Sequence, residues 1–386
     1  MSYTLLDSAA AGGSFVGRVW NPAAHGPSVV VLRDGQLVDI TSKAVPTMSA
    51  LLEHADPAAF VRVARGPVLG ALEEVGAVGI GTPDPSRLHL LAPADLQAIK
   101  ACGVTFAQSM IERVIEEKAA GNPDRAATIR ERVMTLIGGS LNNLKAGSPE
   151  ASQVKQALIE EGMWSQYLEV GIGPDAEVFT KSPVLSSVGW GADVGLHPIS
   201  TWNNPEPEIV LAVNSRGEIK GATLGNDVNL RDVEGRSALL LGKAKDNNAS
   251  CSIGPFIRLF DETYSIDGVR KAELDLKVTG TDGFILHGKS SMSKISRDPV
   301  DLVKQTCGPH HQYPDGFMLF LGTLFAPTQD RDAPNQGFTH KLGDVVEISS
   351  TGLGSLVNTV RLSSECSPWT FGIAALMSNL AKRGLL

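Results

Sequence analysis

Residues 204–232 read NPEPEIVLAVNSRGEIKGATLGNDVNLRD, which is two apolar runs separated by a polar turn. Glu206 and Glu208 stand two positions apart at the head of the first run, and prolines alternate with them. The side chains of a strand point alternately to its two faces, so both carboxylates leave the same face. The prolines stiffen the backbone at this point. The pattern predicts a strand that carries two acidic side chains toward one place.

The turn NSRG predicts a hairpin that brings a third acid to this pair. A two-residue loop at Arg216-Gly217 sets the register so that Asp227 lies opposite Glu206. Three such carboxylates repel one another unless a cation lies between them, and an all-oxygen site suits Mg²⁺ before Mn²⁺ or Ca²⁺. We therefore predict a divalent metal site at the end of this hairpin. The alternative is a solvated strand whose acidic side chains face water.

The composition is typical of an ordinary globular protein, with 42% hydrophobic and 20% charged residues among 386. The net charge of −8 and the scattered basic residues argue against nucleic acid or an anionic membrane as a partner. The N-terminus lacks a basic stretch followed by an apolar core, and the sequence lacks a long uninterrupted apolar window. The four cysteines are widely spaced, as expected for reduced thiols. We expect a cytoplasmic protein that does not cross a membrane.

We expect an α+β fold with a domain boundary near Pro93, where a Gly/Pro-rich stretch is typical of a linker. In the first part, Asp34-Gly35 between two apolar runs signals a hairpin. The predicted parts are a small N-terminal α/β domain (1–93) and a catalytic domain (94–386), the latter made of a helical segment (94–168) and a metal-binding β core (171–386).

Apolar residues at helical spacing predict three helices in the helical segment. The apolar faces are Phe106, Met110, Ile111, Val114 and Ile115 in the first helix, Ile129, Val133, Leu136 and Ile137 in the second, and the apolar residues of 151–168 in the third. Further on, period-two alternation predicts an antiparallel strand pair in 272–291 and two closing strands in 340–360. A short helix is predicted to begin at Pro299.

After the hairpin, residues 241–255 read LGKAKDNNASCSIGP, a lysine-bearing loop with a turn predicted at Gly254-Pro255. The E-x-E pair, GNDVNLRD and a lysine loop ending in C-x-I-G-P, in this order, resemble the fumarylacetoacetate hydrolase superfamily. The resemblance covers most of residues 95–386 and implies a mixed β-roll/β-sandwich catalytic domain of the C-terminal type of that family. It also implies a homodimer or homotetramer. The implied roles are Mg²⁺ binding by Glu206, Glu208 and Asp227 and substrate contact by Lys245. Lys245 is also a candidate catalytic residue that binds a substrate carboxylate or enolate oxygen or moves a proton, and Arg231 is a candidate substrate contact.

Two further segments are similar to pieces of this family. EVFTKSP at residues 177–183 resembles a strand that ends in lysine and proline, which makes Lys181 a candidate for binding a substrate carboxylate and Glu177 a candidate acid or base. LGTLFAPT resembles the family's T-G-T-P loop, which makes Thr323 a candidate ligand for a substrate carboxylate, with Thr328 as the competing choice. The alternative for Lys181 and Glu177 is a structural role, as polar residues at a sheet edge whose hydrogen bonds are made within the protein.

One position departs from the family pattern. Where many members have G-x-N-Y-x-x-H-x-x-E, this chain reads GVTFAQSMIE at residues 103–112, with Ser109 at the histidine position and Glu112 at the glutamate. In hydrolytic members, that histidine and glutamate activate the water that cleaves a carbon–carbon bond. A serine does not act as a general base near neutral pH without a partner. The departure favours elimination over hydrolysis, with Ser109 as a substrate contact and Glu112 as a catalytic acid.

A 2-oxo acid can chelate a metal ion held by three carboxylates, and the ion then stabilises an enolate. Residues 202–255 are similar to the branch of the superfamily that dehydrates 2-keto-3-deoxy pentonates to 2-oxoglutarate semialdehyde in non-phosphorylative pentose catabolism. We therefore expect a metal-dependent sugar-acid dehydratase. The alternatives are a hydrolase that cleaves a 2,4-diketo acid with the help of Glu112, and a non-catalytic sugar-acid binding protein. His197, His310 and His311 lack metal-ligand spacing and stay unassigned.

Overall fold

The fold is described from a computed structural model, for residues 3–386 apart from positions 78, 121, 123, 127, 132–143, 161, 163, 326–328 and 335–336. The helices of this part are α1 (Met48–Leu52), α2 (Pro57–Val63), α3 (Leu72–Ala77), α4 (Ala107–Lys118), α5 (Pro149–Glu160), α6 (Gln166–Ile172), α7 (Arg231–Glu234), α8 (Leu241–Lys245), α9 (Ile266–Arg270), α10 (Pro299–Thr306) and α11 (Ile373–Lys382). Its strands are β1 (Phe15–Asn21), β2 (Gly26–Arg33), β3 (Gln36–Asp39), β4 (Val68–Ala71), β5 (His89–Leu91), β6 (Ala98–Gly103), β7 (Glu177–Ser182), β8 (Asp193–Leu196), β9 (Asn203–Asn204), β10 (Pro207–Val213), β11 (Ile219–Asp227), β12 (Asn229–Leu230), β13 (Cys251–Leu259), β14 (Glu273–Thr279), β15 (Ile285–Ser291), β16 (Phe317–Phe320), β17 (Val345–Ser350) and β18 (Gly354–Leu362).

Two sheets form the body of the molecule. The larger one runs in the order β4-β3-β2-β1-β13-β11-β10-β16-β6-β7, with β5 paired to β1, and the smaller one runs β15-β14-β17-β18-β8. Most neighbours are antiparallel, whereas β16 with β6 and β18 with β8 are parallel. A large apolar core lies between the two sheets, which is the packing of a β-sandwich. The expected α+β fold with a sandwich is confirmed.

The two faces of β10 show why the site lies on the outside of the sandwich. Ile209 and Leu211 belong to the core between the sheets, whereas Val210 and Ala212 belong to a second core on the opposite face. Helices α1 and α2 cover this second core with their buried side chains. Because side chains alternate along a strand, Glu208 shares the face of Val210 and therefore points away from the smaller sheet.

The register of the β10–β11 hairpin is the predicted one, although its loop is not. Pro207 pairs with Asn226, and the same register holds as far as Ala212. The backbone N–H of Asn214 donates to the carbonyl of Glu218 (3.0 Å), so the loop has three residues rather than two. The register shifts by one residue after Ala212, which cancels the longer loop.

The N-terminal part adds strands to the larger sheet. Asp34 and Gly35 form the predicted two-residue turn between β2 and β3, both with positive φ (50° and 73°), as a type I′ turn requires. Strand β1 pairs with β13, so strands from both sides of Pro93 share one sheet. The division at residue 93 stays a prediction.

The helical segment 94–168 is only partly helical. It begins with strand β6, which the sheet holds between β16 and β7. Helix α4 confirms the first predicted helix. Of the second, residues 128–131 are helical, while Val133, Leu136 and Ile137 lie outside the described residues. The third is divided into α5 and α6.

The turn predicted at Gly254-Pro255 is wrong, because both residues lie inside β13. The pairing of β13 with β11 is irregular between Ala222 and Leu224, next to Gly254. A proline lacks the N–H that a regular ladder needs, and an irregularity of this kind accommodates it within a strand. The predicted strands β14, β15, β17 and β18 and helix α10 are present. None of the helices in the described ranges combines the length and the apolar character that crossing a membrane requires.

Candidate metal centre

The three predicted metal ligands meet at one end of the β10–β11 hairpin. Glu206 directly precedes β10, Glu208 lies within it, and Asp227 ends β11. The backbone N–H of Asp227 donates to the carbonyl of Glu206 (3.1 Å). One carboxylate oxygen from each side chain lies within 4.8 Å of the others, and all three side chains are buried. Oxygens around a hard divalent cation are about 3 to 5 Å apart, so the donor set and its spacing fit such an ion.

Backbone and side-chain groups orient these carboxylates. The N–H of Gly322 donates to Glu208 Oε2 (2.7 Å), and the N–H of Glu206 donates to Asn226 Oδ1 (3.2 Å). Burial raises the pKa of Glu208 well above its ordinary value, and the charges of Asp227 and Glu206 raise it further. An ion bound between the three carboxylates would favour their ionised form.

Cationic side chains of the chain itself contact the triad. Lys245 Nζ lies 2.5 Å from Glu206 Oε2 and 3.0 Å from Asp227 Oδ2. Lys181 Nζ lies 2.7 Å from Asp227 Oδ1, and Arg113 forms an ion pair with Glu206. Burial opposes the ionisation of Asp227, but Lys181 and Lys245 lower its pKa below the ordinary value. The negative charge of the triad is therefore balanced by neighbouring cations.

The triad opens into a small cavity of about 20 Å³, which is room for roughly one water molecule. Seven of the residues predicted from the sequence line it, namely Glu206, Glu208, Asp227, Lys245, Glu177, Ser109 and Thr323. Residues that the sequence reasoning missed also line it, namely Cys102, Gly103, Val104, Arg113, Phe179, Glu234 and Gly322. The cavity therefore gathers carboxylates, cations and hydroxyl groups from strands, helices and loops that are far apart in the sequence.

Glu177 enters the cavity from the start of β7. Burial raises the pKa of its carboxyl to about 7, and the nearby charge of Glu234 adds to the rise. A Cβ atom on residue 103 would lie 1.9 Å from Glu177 Oε2, so Gly103 provides the space for this carboxyl. A carboxyl with such a pKa can hold and release a proton near neutral pH.

Ser109 and Thr323 bring hydroxyl groups to the cavity from separate elements. Ser109 lies in the first turn of α4, where its hydroxyl donates to the carbonyl of Phe106 (3.0 Å). Thr323 follows β16, and its hydroxyl oxygen accepts a hydrogen bond from the N–H of Phe325 (3.1 Å). The competing candidate Thr328 lies outside the described residues. Their roles as substrate contacts stay predictions.

Three of the predicted residues lie one layer behind the cavity. Lys181 is fully buried and donates to the carbonyl oxygens of Val228 (3.1 Å) and Lys245, in addition to its contact with Asp227. It therefore ties the metal-bearing hairpin to the end of α8. This position suits a residue that holds Asp227 in place.

Glu112 and Arg231 belong to an ion-pair network that adjoins the cavity through Glu116 and Arg113. Glu112 pairs with Arg130 (2.6 Å). Arg231 donates from Nε to Glu116 (2.7 Å), and its guanidinium lies 4.2 Å from the ring centre of Trp202. Neither lines the cavity. The predicted catalytic role of Glu112 and substrate contact of Arg231 remain untested.

The sequence contained signals for two of the missed residues. Arg113 follows Ser109 by four positions, so the two side chains share a face of α4. Phe179 follows Glu177 by two positions, so both leave the same face of β7. Glu234, which lies 3.1 Å from Arg113, had no such signal, because its place depends on how α7 packs against α4.

Residues 175–361, just under half of the chain, match the family described as fumarylacetoacetate (FAA) hydrolase C-terminal. The resemblance inferred from the sequence motifs is confirmed.

Two curated relatives are both named as dehydratases. The chain is 30% identical over 201 residues to a "Probable 2-keto-3-deoxyxylonate dehydratase" of Haloferax volcanii, a match that covers 52% of this chain and 65% of the relative. It is 29% identical over 188 residues to a "2-dehydro-3-deoxy-D-arabinonate dehydratase" of Saccharolobus solfataricus, covering 48% of this chain and 58% of the relative. The matches thus span about three fifths of the relatives' lengths.

Solved structures support the fold. A structure of apo 2-keto-3-deoxy-D-arabinonate dehydratase covers 90% of this chain and 99% of its own, with a TM-score of 0.63 at 19% identity. A structure of 2-keto-3-deoxy-D-arabinonate dehydratase complexed with magnesium and 2,5-dioxopentanoate gives a TM-score of 0.62 at 18% identity, with the same coverage. At such identities the likeness concerns the fold.

Proposed function

We propose that the protein catalyses the Mg²⁺-dependent dehydration of a 2-keto-3-deoxy sugar acid, a 2-keto-3-deoxy-D-pentonate in particular, to 2-oxoglutarate semialdehyde. The observation that carries this proposal is one cavity that joins the carboxylate triad, the Lys245 cation and the protonatable Glu177. The names of the Haloferax and Saccharolobus relatives support the same reaction. Mn²⁺ is an alternative ion for the same oxygen ligands.

The triad would hold the metal ion through Glu206, Glu208 and Asp227. A bound Mg²⁺ supplies a Lewis acid that stabilises negative charge on the keto oxygen of a 2-oxo acid. Lys245 reaches two of the three ligands, so its ammonium group is placed to attract the carboxylate or the developing negative charge of such a substrate. Lys181 holds Asp227 from behind and keeps this arrangement in place.

We assign Glu177 as the acid that gives a proton to the leaving hydroxyl. Dehydration removes a proton from C3 and the hydroxyl group from C4, which leaves as water when it receives a proton. The resulting 3,4-unsaturated acid isomerises to the semialdehyde, because C5 and its hydroxyl each lose one hydrogen while C3 and C4 each gain one. The carboxyl of Glu177 lines the cavity, and its raised pKa keeps a fraction of it protonated at neutral pH. Ser109 and Thr323 are placed to hydrogen-bond the polar groups of the substrate.

The lining of the cavity supports elimination over hydrolysis. Hydrolysis of a carbon–carbon bond needs a base that activates water, and histidine is the usual choice. Within the described residues, no histidine lines the cavity. Glu112, the other candidate for such a role, is engaged with Arg130 outside it.

The test is an assay of the purified protein with 2-keto-3-deoxypentonates of both C4 configurations, 2-keto-3-deoxyhexonates and 2,4-diketo acids, with Mg²⁺ or with EDTA. We expect a semialdehyde from one pentonate, detected by its oxidation with an aldehyde dehydrogenase, and no product in EDTA. The Glu208→Gln variant should fold and lose this turnover, because it removes one charge of the triad.

Two outcomes would overturn the assignment. Release of pyruvate from a diketo acid, without semialdehyde formation, would show a hydrolase. A sugar acid that raises the melting temperature but is not turned over would show a binding protein. A homodimer or homotetramer and a cytoplasmic location remain predictions, and light scattering decides the first.

A further inference from the structure

Arg113 is the cationic group of the cavity to which the proposed reaction gives no role. It projects from α4, and only 13% of its side chain is exposed. Nη1 donates to Glu116 Oε2 (2.6 Å) and lies 3.1 Å from Glu234 Oε2, while Nη2 forms an ion pair with Glu206 Oε1. One nitrogen is thus held by Glu116 and Glu234, and the other contacts a metal ligand.

The carboxylate of Glu206 is shared between two cations of the chain. Arg113 takes Oε1 and Lys245 takes Oε2. A divalent ion on the triad needs electron density from the same carboxylate and repels the neighbouring guanidinium. The contact between Arg113 and Glu206 therefore opposes metal binding, and metal binding weakens this contact.

The contacts of Arg113 with Glu116 and Glu234 do not involve the triad, so they can persist when the contact with Glu206 is lost. Glu116 is also bound by Arg231, which anchors α4 independently of the triad. Nη2 of Arg113 would then be a free donor in a cavity whose positive charge has increased. A guanidinium matches the planar shape of a carboxylate, and this complementarity makes arginine a frequent carboxylate ligand.

We propose that Arg113 competes with the divalent ion for Glu206 and, once the ion is bound, transfers this contact to the carboxylate of a 2-oxo acid, so that ion and acid bind interdependently. The identity of the acid rests on the proposed function, whereas the competition for Glu206 does not. The inference predicts opposite effects of removing the guanidinium, namely tighter binding of the ion and weaker binding of the acid.

The experiment measures Mn²⁺ affinity without turnover, by electron paramagnetic resonance of free Mn²⁺, for the full chain and its Arg113→Gln variant. We expect Arg113→Gln to bind Mn²⁺ about fivefold to tenfold more tightly. Saturating pyruvate, a 2-oxo acid with no hydroxyl to lose, should raise the Mn²⁺ affinity of the unmodified protein about tenfold but that of the variant about twofold or less. Arg62→Gln, which removes a charge from an exposed pair with Glu262, is the matched control and should behave like the unmodified protein.

Unchanged or weaker Mn²⁺ binding by folded Arg113→Gln, or an undiminished effect of pyruvate, would overturn the proposal. If loss of the buried charge prevents folding, Arg113→Lys decides, because it retains the charge but not the planar fork. It should bind Mn²⁺ within about threefold of the unmodified protein and show less coupling to pyruvate, and full coupling would contradict us. In another outcome, the unmodified protein dehydrates no sugar acid while Arg113→Gln still binds Mn²⁺ more tightly. This result would support the competition for Glu206 and contradict the proposed function.

Discussion

The carboxyl of Glu177 is the cavity acid whose environment best suits proton transfer, since burial raises its pKa to about 7. We expect Glu177→Gln to lower kcat for semialdehyde formation by about 10²- to 10⁴-fold, the usual contribution of a positioned acid, with a smaller change in KM. Steady-state kinetics with saturating Mg²⁺ measure both constants.

Gly103→Ala is a second way to examine the same carboxyl. The new methyl group would meet Glu177 Oε2, the end of a flexible side chain, so the carboxyl must move while the fold survives. We expect kcat to fall less than in Glu177→Gln and Mn²⁺ affinity to change by less than about threefold. A Glu177→Gln variant with the kcat of the unmodified protein would remove Glu177 from the mechanism.

At the level of single residues, the site residues were predictable wherever a local sequence pattern indicated their positions. The alternation of Glu206 and Glu208, and the hairpin count that added Asp227, needed only strand geometry. The ion pair between Arg113 and Glu234 needed the packing of α4 against α7, because it joins side chains of separate elements. No local period in the sequence encodes such a pair.

At the level of elements, the register predicted for the β10–β11 hairpin is correct although the predicted loop length is wrong. The loop from Asn214 to Glu218 is one residue longer than expected, and Gly217 supplies its positive φ of 75°. A one-residue shift after Ala212 compensates, so Asp227 still lies opposite Glu206. A one-residue slip beyond this point would turn Asp227 to the other face of the sheet, which explains why the compensation matters.

The loop before β17 forms a hydrogen bond to the chain just before the same hairpin. Its Asp344 is buried and accepts hydrogen bonds from Arg331 (2.6 and 2.8 Å), while the N–H of His340 donates to Asn203 Oδ1 (3.2 Å), three residues before Glu206. Although burial opposes its ionisation, the hydrogen bonds of Arg331 and His340 lower the pKa of Asp344 to about 2. Arg331, His340 and Asp344 were not among the predicted site residues.

Replacing Asp344 should therefore cost stability in a pH-dependent way. Asp344→Asn removes one of the two carboxylates that pair with the buried Arg331, while Asp282 (3.1 Å) remains, so we expect the free energy of unfolding at pH 7 to fall by about 2 kcal/mol. A carboxyl whose pKa is lowered by folding stabilises above its unfolded pKa, near 3.8, and loses this contribution as the pH falls toward 2. Urea unfolding from pH 7 to pH 2.5 should show the difference shrinking below pH 4. A constant difference would contradict the role of the charge.

At the level of the whole molecule, the order of strands was the feature that local patterns did not reveal. Periodicity identified β14, β15, β17 and β18 as strands, but it does not show that β6 lies parallel to β16 or that β1 pairs with β13. Such partners are more than 200 residues apart, and only the burial of both faces of the larger sheet selects them. The C-terminal helix α11 lies within residues 171–386, which were predicted as a β core, and no separate helix was predicted there.

The pairing of β1 with β13 predicts one cooperative unit across residue 93. Without residues 1–93, β13 would expose an unpaired edge together with apolar residues of both cores. We expect residues 94–386 alone to lack a cooperative thermal transition, whereas the full chain unfolds in one. Circular dichroism and calorimetry measure both. A fragment that melts cooperatively and binds Mn²⁺ would show that the second part folds independently.

Strands β10 and β11, which carry the triad, have a strand on either side, and the other groups of the cavity come from β6, β7, α4, α7, α8 and the turn after β16. The parts that hold the ion and the parts that would meet the substrate are thus separate pieces of chain. Such a division lets substrate range diverge without rebuilding the ion site. To change the specificity for the sugar acid, residues of α4 and of the turn at Thr323 should be varied, while the hairpin is left unchanged.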